Sequence, residues 1–138
     1  MNTITPQLQN TLALVGRILL AVLFIMSGFQ KLTSIDATVA YMTSGGVPMA
    51  NVLVYATILV ELGGGLLLIF GWHTRLAALV LFLFLIPVTL VFHNPSSNPA
   101  QAQMMTTQLL KNLSIMGGML QLVAFGPGAW SLDDRRRS

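Results

Sequence analysis

Four stretches of the chain stay apolar for about the length of a membrane span: residues 12–32, 52–70, 76–92 and 109–125. An α-helix rises about 1.5 Å per residue, so each is near the length that crosses a hydrocarbon core of about 30 Å. Turn-forming residues separate them. Gly71-Trp72-His73-Thr74-Arg75 makes a tight turn, residues 33–51 contain Ser44-Gly45-Gly46-Val47-Pro48, and residues 93–108 open on His93-Asn94-Pro95-Ser96-Ser97-Asn98-Pro99. The pattern predicts an all-α fold, an integral membrane four-helix bundle in a single domain over 1–138, with the two longer connections as loops over one end. Gly126-Pro127-Gly128 stops the fourth helix and leaves Trp130 at the interface, ahead of a solvated tail.

Helical phase says which faces turn inward. In the first segment Arg17, Ala21, Phe24, Gly28 and Lys31 recur at spacings of 4, 3, 4 and 3, which sets both charges and the small residues on one face. Lys111, Ser114, Gly118, Gln121 and Phe125 do the same in the fourth. Both faces are expected to point inward, because lipid offers polar groups no partner and small residues let helix backbones approach. The second segment adds Thr57, Glu61 and Gly64, and the third adds Thr89 and His93. In depth, Arg17 is placed roughly two turns inward of Lys31 and just to the cytoplasmic side of the midplane, with Glu61 near the midplane. Lys31, His93, Lys111 and Asn112 fall at the outer boundary, and His73 belongs to the inner turn.

Composition agrees with a membrane protein: of 138 residues, 54% are hydrophobic and only 8% charged, where a soluble domain carries about a quarter charged. Residues 1–11 hold no basic residue and the first apolar run has no small-residue cleavage site, so that run is expected to remain as a helix and not act as a signal peptide. Arg75 and Arg135, Arg136 and Arg137 lie at one end of the bundle, against Lys31 and Lys111 at the other. Basic residues favour the cytoplasmic side, so both termini are expected in the cytoplasm. The net charge of +3 then reflects topology, and nucleic acid is not an expected partner.

Glu61 is the only charge in its span and is followed by Gly63, Gly64 and Gly65. A carboxylate there is costly unless it is paired, protonated or facing a polar cavity. One reading makes it a buried ion pair with Arg17 that locks the first helix to the second; the other makes it functional. Lys31 and Lys111 either snorkel to headgroups or face a cavity, and His93 is either an interfacial cap or a relay at the cavity mouth. Phe24, Tyr41, Phe92 and Trp130 read as packing or belt residues, and Pro87 as a tolerated kink. The chain has no cysteine, so it cannot itself run dithiol exchange or hold an iron–sulfur cluster, and any redox group is borrowed. His73 and His93 lie at opposite faces, so no shared haem or metal site is expected.

Several of these residues sit in recognisable company: Gly16-Arg17, Ser27-Gly28-Phe29-Gln30-Lys31-Leu32, Tyr41-Met42 with Gly46-Val47-Pro48, Glu61-Leu62-Gly63-Gly64, Gly71 with Thr74-Arg75, Phe92-His93, Lys111-Asn112-Leu113 with Gly117-Gly118, and Gly126-Pro127-Gly128 with Ser131-Leu132-Asp133. In order and spacing they resemble the DoxX family of small bacterial inner-membrane proteins over nearly the whole chain, closest to its uncharacterised enterobacterial-type members. The family takes its name from a subunit of an archaeal thiosulfate:quinone oxidoreductase, and similar proteins are linked to quinone stress and oxidant defence. The resemblance implies Arg17, Lys31, Glu61, His93, Lys111 and Asn112 as the polar positions, with no defined reaction.

Three functions follow as expectations. The first is a quinone-interacting redox or membrane-anchor subunit, with a ligand site of Lys31, Glu61, His93, Lys111 and Asn112; as an enzyme it would act only with a partner. The second is a membrane scaffold without a small-molecule ligand. The third is a small proton-coupled exporter built on Glu61. Quinone is the one cofactor in view, and the expected partners are the lipid bilayer, a redox-enzyme subunit and a second copy of the chain.

Overall fold

The structure, a computed structural model, describes residues 3–93 and 99–137. Its helices are α1 (Pro6–Thr33), α2 (Ile35–Ser44), α3 (Ala50–Phe70), α4 (Thr74–Phe92), α5 (Ala102–Phe125) and α6 (Leu132–Arg135), with a 3-10 turn at Pro99–Gln101. There is no strand among the described residues. The long helices α1, α3, α4 and α5 form the expected bundle, and α1, α3 and α4 are long and apolar enough to cross a membrane. Residues 94–98, the turn-rich part of the second long connection, lie outside the described residues.

Helix ends depart from the hydropathy pattern for local reasons. α1 starts at Pro6, not at 12, because Thr5 caps it: the Thr5 hydroxyl accepts from the Leu8 N–H at 3.3 Å and proline suits the first helical position. α5 starts at Ala102, seven residues before its apolar run. α4 runs through Pro87 to Phe92. The expected loop 33–51 is mostly the helix α2. Ile35, Val39 and Met42 recur at helical spacing and pack on Ala50, Val54 and Ile58 of α3, forming a second core above the main one.

The main core joins all four long helices through Ala21 and Phe24 of α1, Leu68 of α3, Ala77, Ala78, Leu81 and Leu85 of α4, and Met119 of α5. α1 and α3 run antiparallel and close together. Gly28 backs onto Leu62, and a methyl group on Gly65 would stand 2.6 Å from Ile25 Cγ1. Small residues at a helix interface permit this approach.

The inward face expected for α1 is the one observed, with Arg17, Ala21, Phe24 and Gly28 buried. The face expected for α5 is not. Lys111, Ser114 and Gln121 are exposed and Phe125 is 78% exposed, whereas Asn112 and Met119 are buried and Ile115, Met116, Leu122 and Val123 pack on the core. The apolar stripe decides the rotation. The Ser114 hydroxyl needs no neighbouring helix, since it donates to the Leu110 carbonyl of its own helix at 2.9 Å.

Candidate functional site

The two charges on the inward face of α1 are fourteen positions apart, which is about 21 Å and nearly four turns rather than two. They therefore serve opposite ends of the bundle. The expected Arg17–Glu61 ion pair does not form. α3 runs antiparallel to α1, so Glu61 lies opposite Ser27 and Lys31, and Arg17 lies opposite the end of α3.

Arg17 is 2% exposed and donates to three carbonyls: Pro127 at 2.6 Å, Trp130 at 2.9 Å and Ile69 at 3.2 Å. The Ile69 carbonyl belongs to the last turn of α3, where carbonyls lack helical partners and carry the negative end of the helix dipole. The segment after α5 is thus docked, with Ser131 buried against the turn, while Asp134, Arg135, Arg136 and Arg137 beyond it are exposed, as expected of a solvated tail. Gly71, at φ 66, makes this possible, because a Cβ there would collide with the Ser131 side chain and crowd the Arg17 guanidinium. From the same tail, Asp133 caps α4 by accepting from the His73 N–H at 2.8 Å and the Thr74 N–H at 2.9 Å. Burial pushes the Asp133 carboxyl up, but the backbone donors of Thr74 and His73 outweigh it and hold the group below its ordinary value. His73, with φ 47, sits in the left-handed region at this join.

At the other end Lys31 Nζ donates to Glu61 Oε2 at 3.0 Å, Glu61 Oε1 at 3.1 Å and Ser27 Oγ at 2.7 Å, and Ser27 Oγ donates to Glu61 Oε1 at 3.2 Å. Lys31 is 26% exposed and Glu61 7%. Ser27, four residues before Lys31, stands within a sequence motif but is not among the expected site residues, although that spacing puts it on the same helix face. This pair forms the floor of a cavity of about 270 Å³ whose lining includes Lys31, Glu61, His93, Lys111 and Asn112. All five residues expected to share an outer site therefore do share one hollow. Its walls are apolar and include Leu23, Phe24, Phe84, Leu85 and Val88. α2 closes it, with Tyr41 stacked on Phe92 at 4.9 Å between ring centroids. Tyr41, read from the sequence as a packing or belt residue, is thus part of the roof.

The polar groups of this cavity differ in what they have left to offer. Lys31 Nζ is engaged by the Glu61 carboxylate and the Ser27 hydroxyl. Asn112 Nδ2 donates to the Thr89 hydroxyl at 3.0 Å, which joins α5 to α4. His93, one residue beyond the α4 span, has a buried Nδ1 without a hydrogen-bond partner among the described residues. Burial first, and then the neighbouring Lys111 charge, push its imidazole below the ordinary value, against the Phe92 backbone, which raises it. Lys111 is exposed at the rim. A second hollow of about 280 Å³, almost wholly apolar, lies between α3 and α4 and shares Met42, Thr57, Phe84, Val88 and Phe92 with the first.

The model of the DoxX family matches residues 12–94, more than half of the chain. The chain belongs to the DoxX family. The match includes Lys31, Glu61 and His93 and ends before Lys111 and Asn112. Two relatives extend further. Inner membrane protein YqjF of Escherichia coli K12 is 39% identical over 127 residues, covering 92% of this chain and 93% of that protein. Inner membrane protein YphA of the same strain is 33% identical over 129 residues, covering 92% and 91%. A Surfeit locus protein 4 homolog from Drosophila melanogaster is 28% identical over 140 residues, covering 94% of this chain but 42% of that protein. No solved structure matches. With its long apolar helices, this DoxX protein is a multi-pass protein of the bacterial inner membrane.

Proposed function

We propose that the cavity between α1, α3, α4 and α5 binds a membrane-soluble molecule with a flat, hydrogen-bonding head, of the quinone class, and that the chain serves as the quinone-interacting subunit of a redox assembly. The observation that carries the reading is the pairing of apolar walls with polar groups that face the space: His93, whose buried Nδ1 has no hydrogen-bond partner among the described residues, and Lys111 at the rim. Apolar surroundings with a few converging polar groups suit such a ligand. Lys111 and His93 hydrogen-bond its carbonyl oxygens, the Lys31–Glu61 pair lies beneath the ring, and the apolar hollow between α3 and α4 takes the chain attached to it. Lys31, held by Glu61 and Ser27, positions the carboxylate beneath the ligand. Electrons come from the partner subunit.

Photolabelling of the whole chain in native membrane discs with an azido-quinone tests this. Labels are expected on α3, α4 and the Tyr41–Phe92 roof, and they fall at least fivefold in Lys111→Met with His93→Leu. Labelling confined to lipid-facing residues, or unchanged in that double variant, overturns the site.

A further inference from the structure

At the opposite end of the bundle a groove of about 600 Å³ lies between the start of α4 and the tail that follows α5. Arg75, Arg136 and Arg137 line it together with Asp133 and Asp134. The arginines have no carboxylate partner among the described residues. Asp133 spends its oxygens on the first N–H groups of α4, so it neutralises that helix end and not the arginines. Three guanidiniums against two carboxylates, one of them engaged, leave the groove positive. Apolar side chains border it where α4 begins and α5 ends: Leu76 is 61% exposed and Phe125 78%. Trp72 and Trp130 are also exposed at this end, as aromatic side chains at a membrane interface are.

We infer that this groove binds the phosphodiester headgroup of an anionic phospholipid, with Arg75, Arg136 and Arg137 around the phosphate and the acyl chains running down past Leu76 and Phe125. A free anion would have no use for the apolar border, whereas a lipid meets both halves at one depth. The guanidinium suits phosphate through its paired donors, and a basic residue near an anionic membrane surface adds about fivefold in affinity. The lipid would tie the tail to α4 and reinforce the docking that Arg17 provides from below.

Native mass spectrometry of the full chain, exchanged between vesicles of phosphatidylglycerol and of phosphatidylcholine, tests the assignment. The wild type is expected to retain phosphatidylglycerol at least tenfold over phosphatidylcholine, and Arg75→Gln with Arg136→Gln and Arg137→Gln to abolish the preference. Arg75 lies against Gly126, so the pair Arg136→Gln with Arg137→Gln, confined to the exposed tail, is the second variant and should lose most of it with an unchanged melting temperature. Equal retention of the two lipids, or a preference that survives the triple change, overturns the inference. Displacement of the lipid by millimolar inorganic phosphate would make the groove a free-anion site and overturn the lipid assignment.

Discussion

The two inward-facing cations of α1 occupy equivalent positions on one helix face and do opposite things. Arg17 reaches three carbonyls, touches no carboxylate among the described residues, and closes its end of the bundle by pinning the tail under the α3–α4 turn. Lys31 neutralises Glu61 and leaves its end hollow, with His93 and Lys111 beside an apolar space. The difference is one of reach and supply. Arginine carries five donors in a planar fork, which fits a ring of carbonyls that lack helical partners. Lysine brings its charge to one point, which suits one carboxylate with one hydroxyl beside it. Hence the bundle is closed beneath the tail around Arg17 and hollow beside Lys31.

The largest effect expected from this contrast is all or none. If the arginine-bearing end is cytoplasmic, a cysteine at the exposed Ser44 reacts with an impermeant maleimide in intact cells and one at Ser138 does not. The reverse pattern would put the cavity on the cytoplasmic side. Next in size is the arginine clamp. Arg17→Gln leaves buried carbonyls unsatisfied and should cost about 4 kcal/mol, since hydrogen bonds to charged groups contribute about 1.5–3 kcal/mol each. Thermal unfolding of double variants sharpens the point. Arg17→Gln and Glu61→Gln should add, because the two sites share no partner, whereas Lys31→Met and Glu61→Gln together should cost less than their sum. A coupling of Arg17 to Glu61 would break the division of the two ends.

The smallest effect is the acid limb of stability. Because Asp133 holds its proton less readily in the folded chain than in the unfolded one, its contribution is fully present above the usual carboxylate value of about 3.9 and is lost as pH falls through the lower folded value. Asp133→Asn is expected to flatten that limb of a melting-temperature profile. An unchanged limb would mean that the cap at His73 and Thr74 contributes nothing through charge.

Much of this protein was legible in its sequence because lipid leaves few choices. Apolar runs of span length must be helices, since backbone groups in hydrocarbon have no other partner, and the 4-3-4-3 spacing on α1 fixed the side that carries Arg17 and Lys31. The gathering of Lys31, Glu61, His93, Lys111 and Asn112 followed from counting residues to the outer end of each helix. What tertiary structure alone decided was pairing, rotation and closure. Whether Glu61 met Arg17 or Lys31 depended on the sliding register of α1 against α3, set by Gly28 on Leu62 and Gly65 on Ile25. The rotation of α5 followed its apolar stripe, because an exposed Ser114 satisfies itself. The docked tail and the α2 roof rest on contacts between residues far apart in the chain, such as Arg17 with Pro127 and Tyr41 with Phe92, which no local pattern encodes.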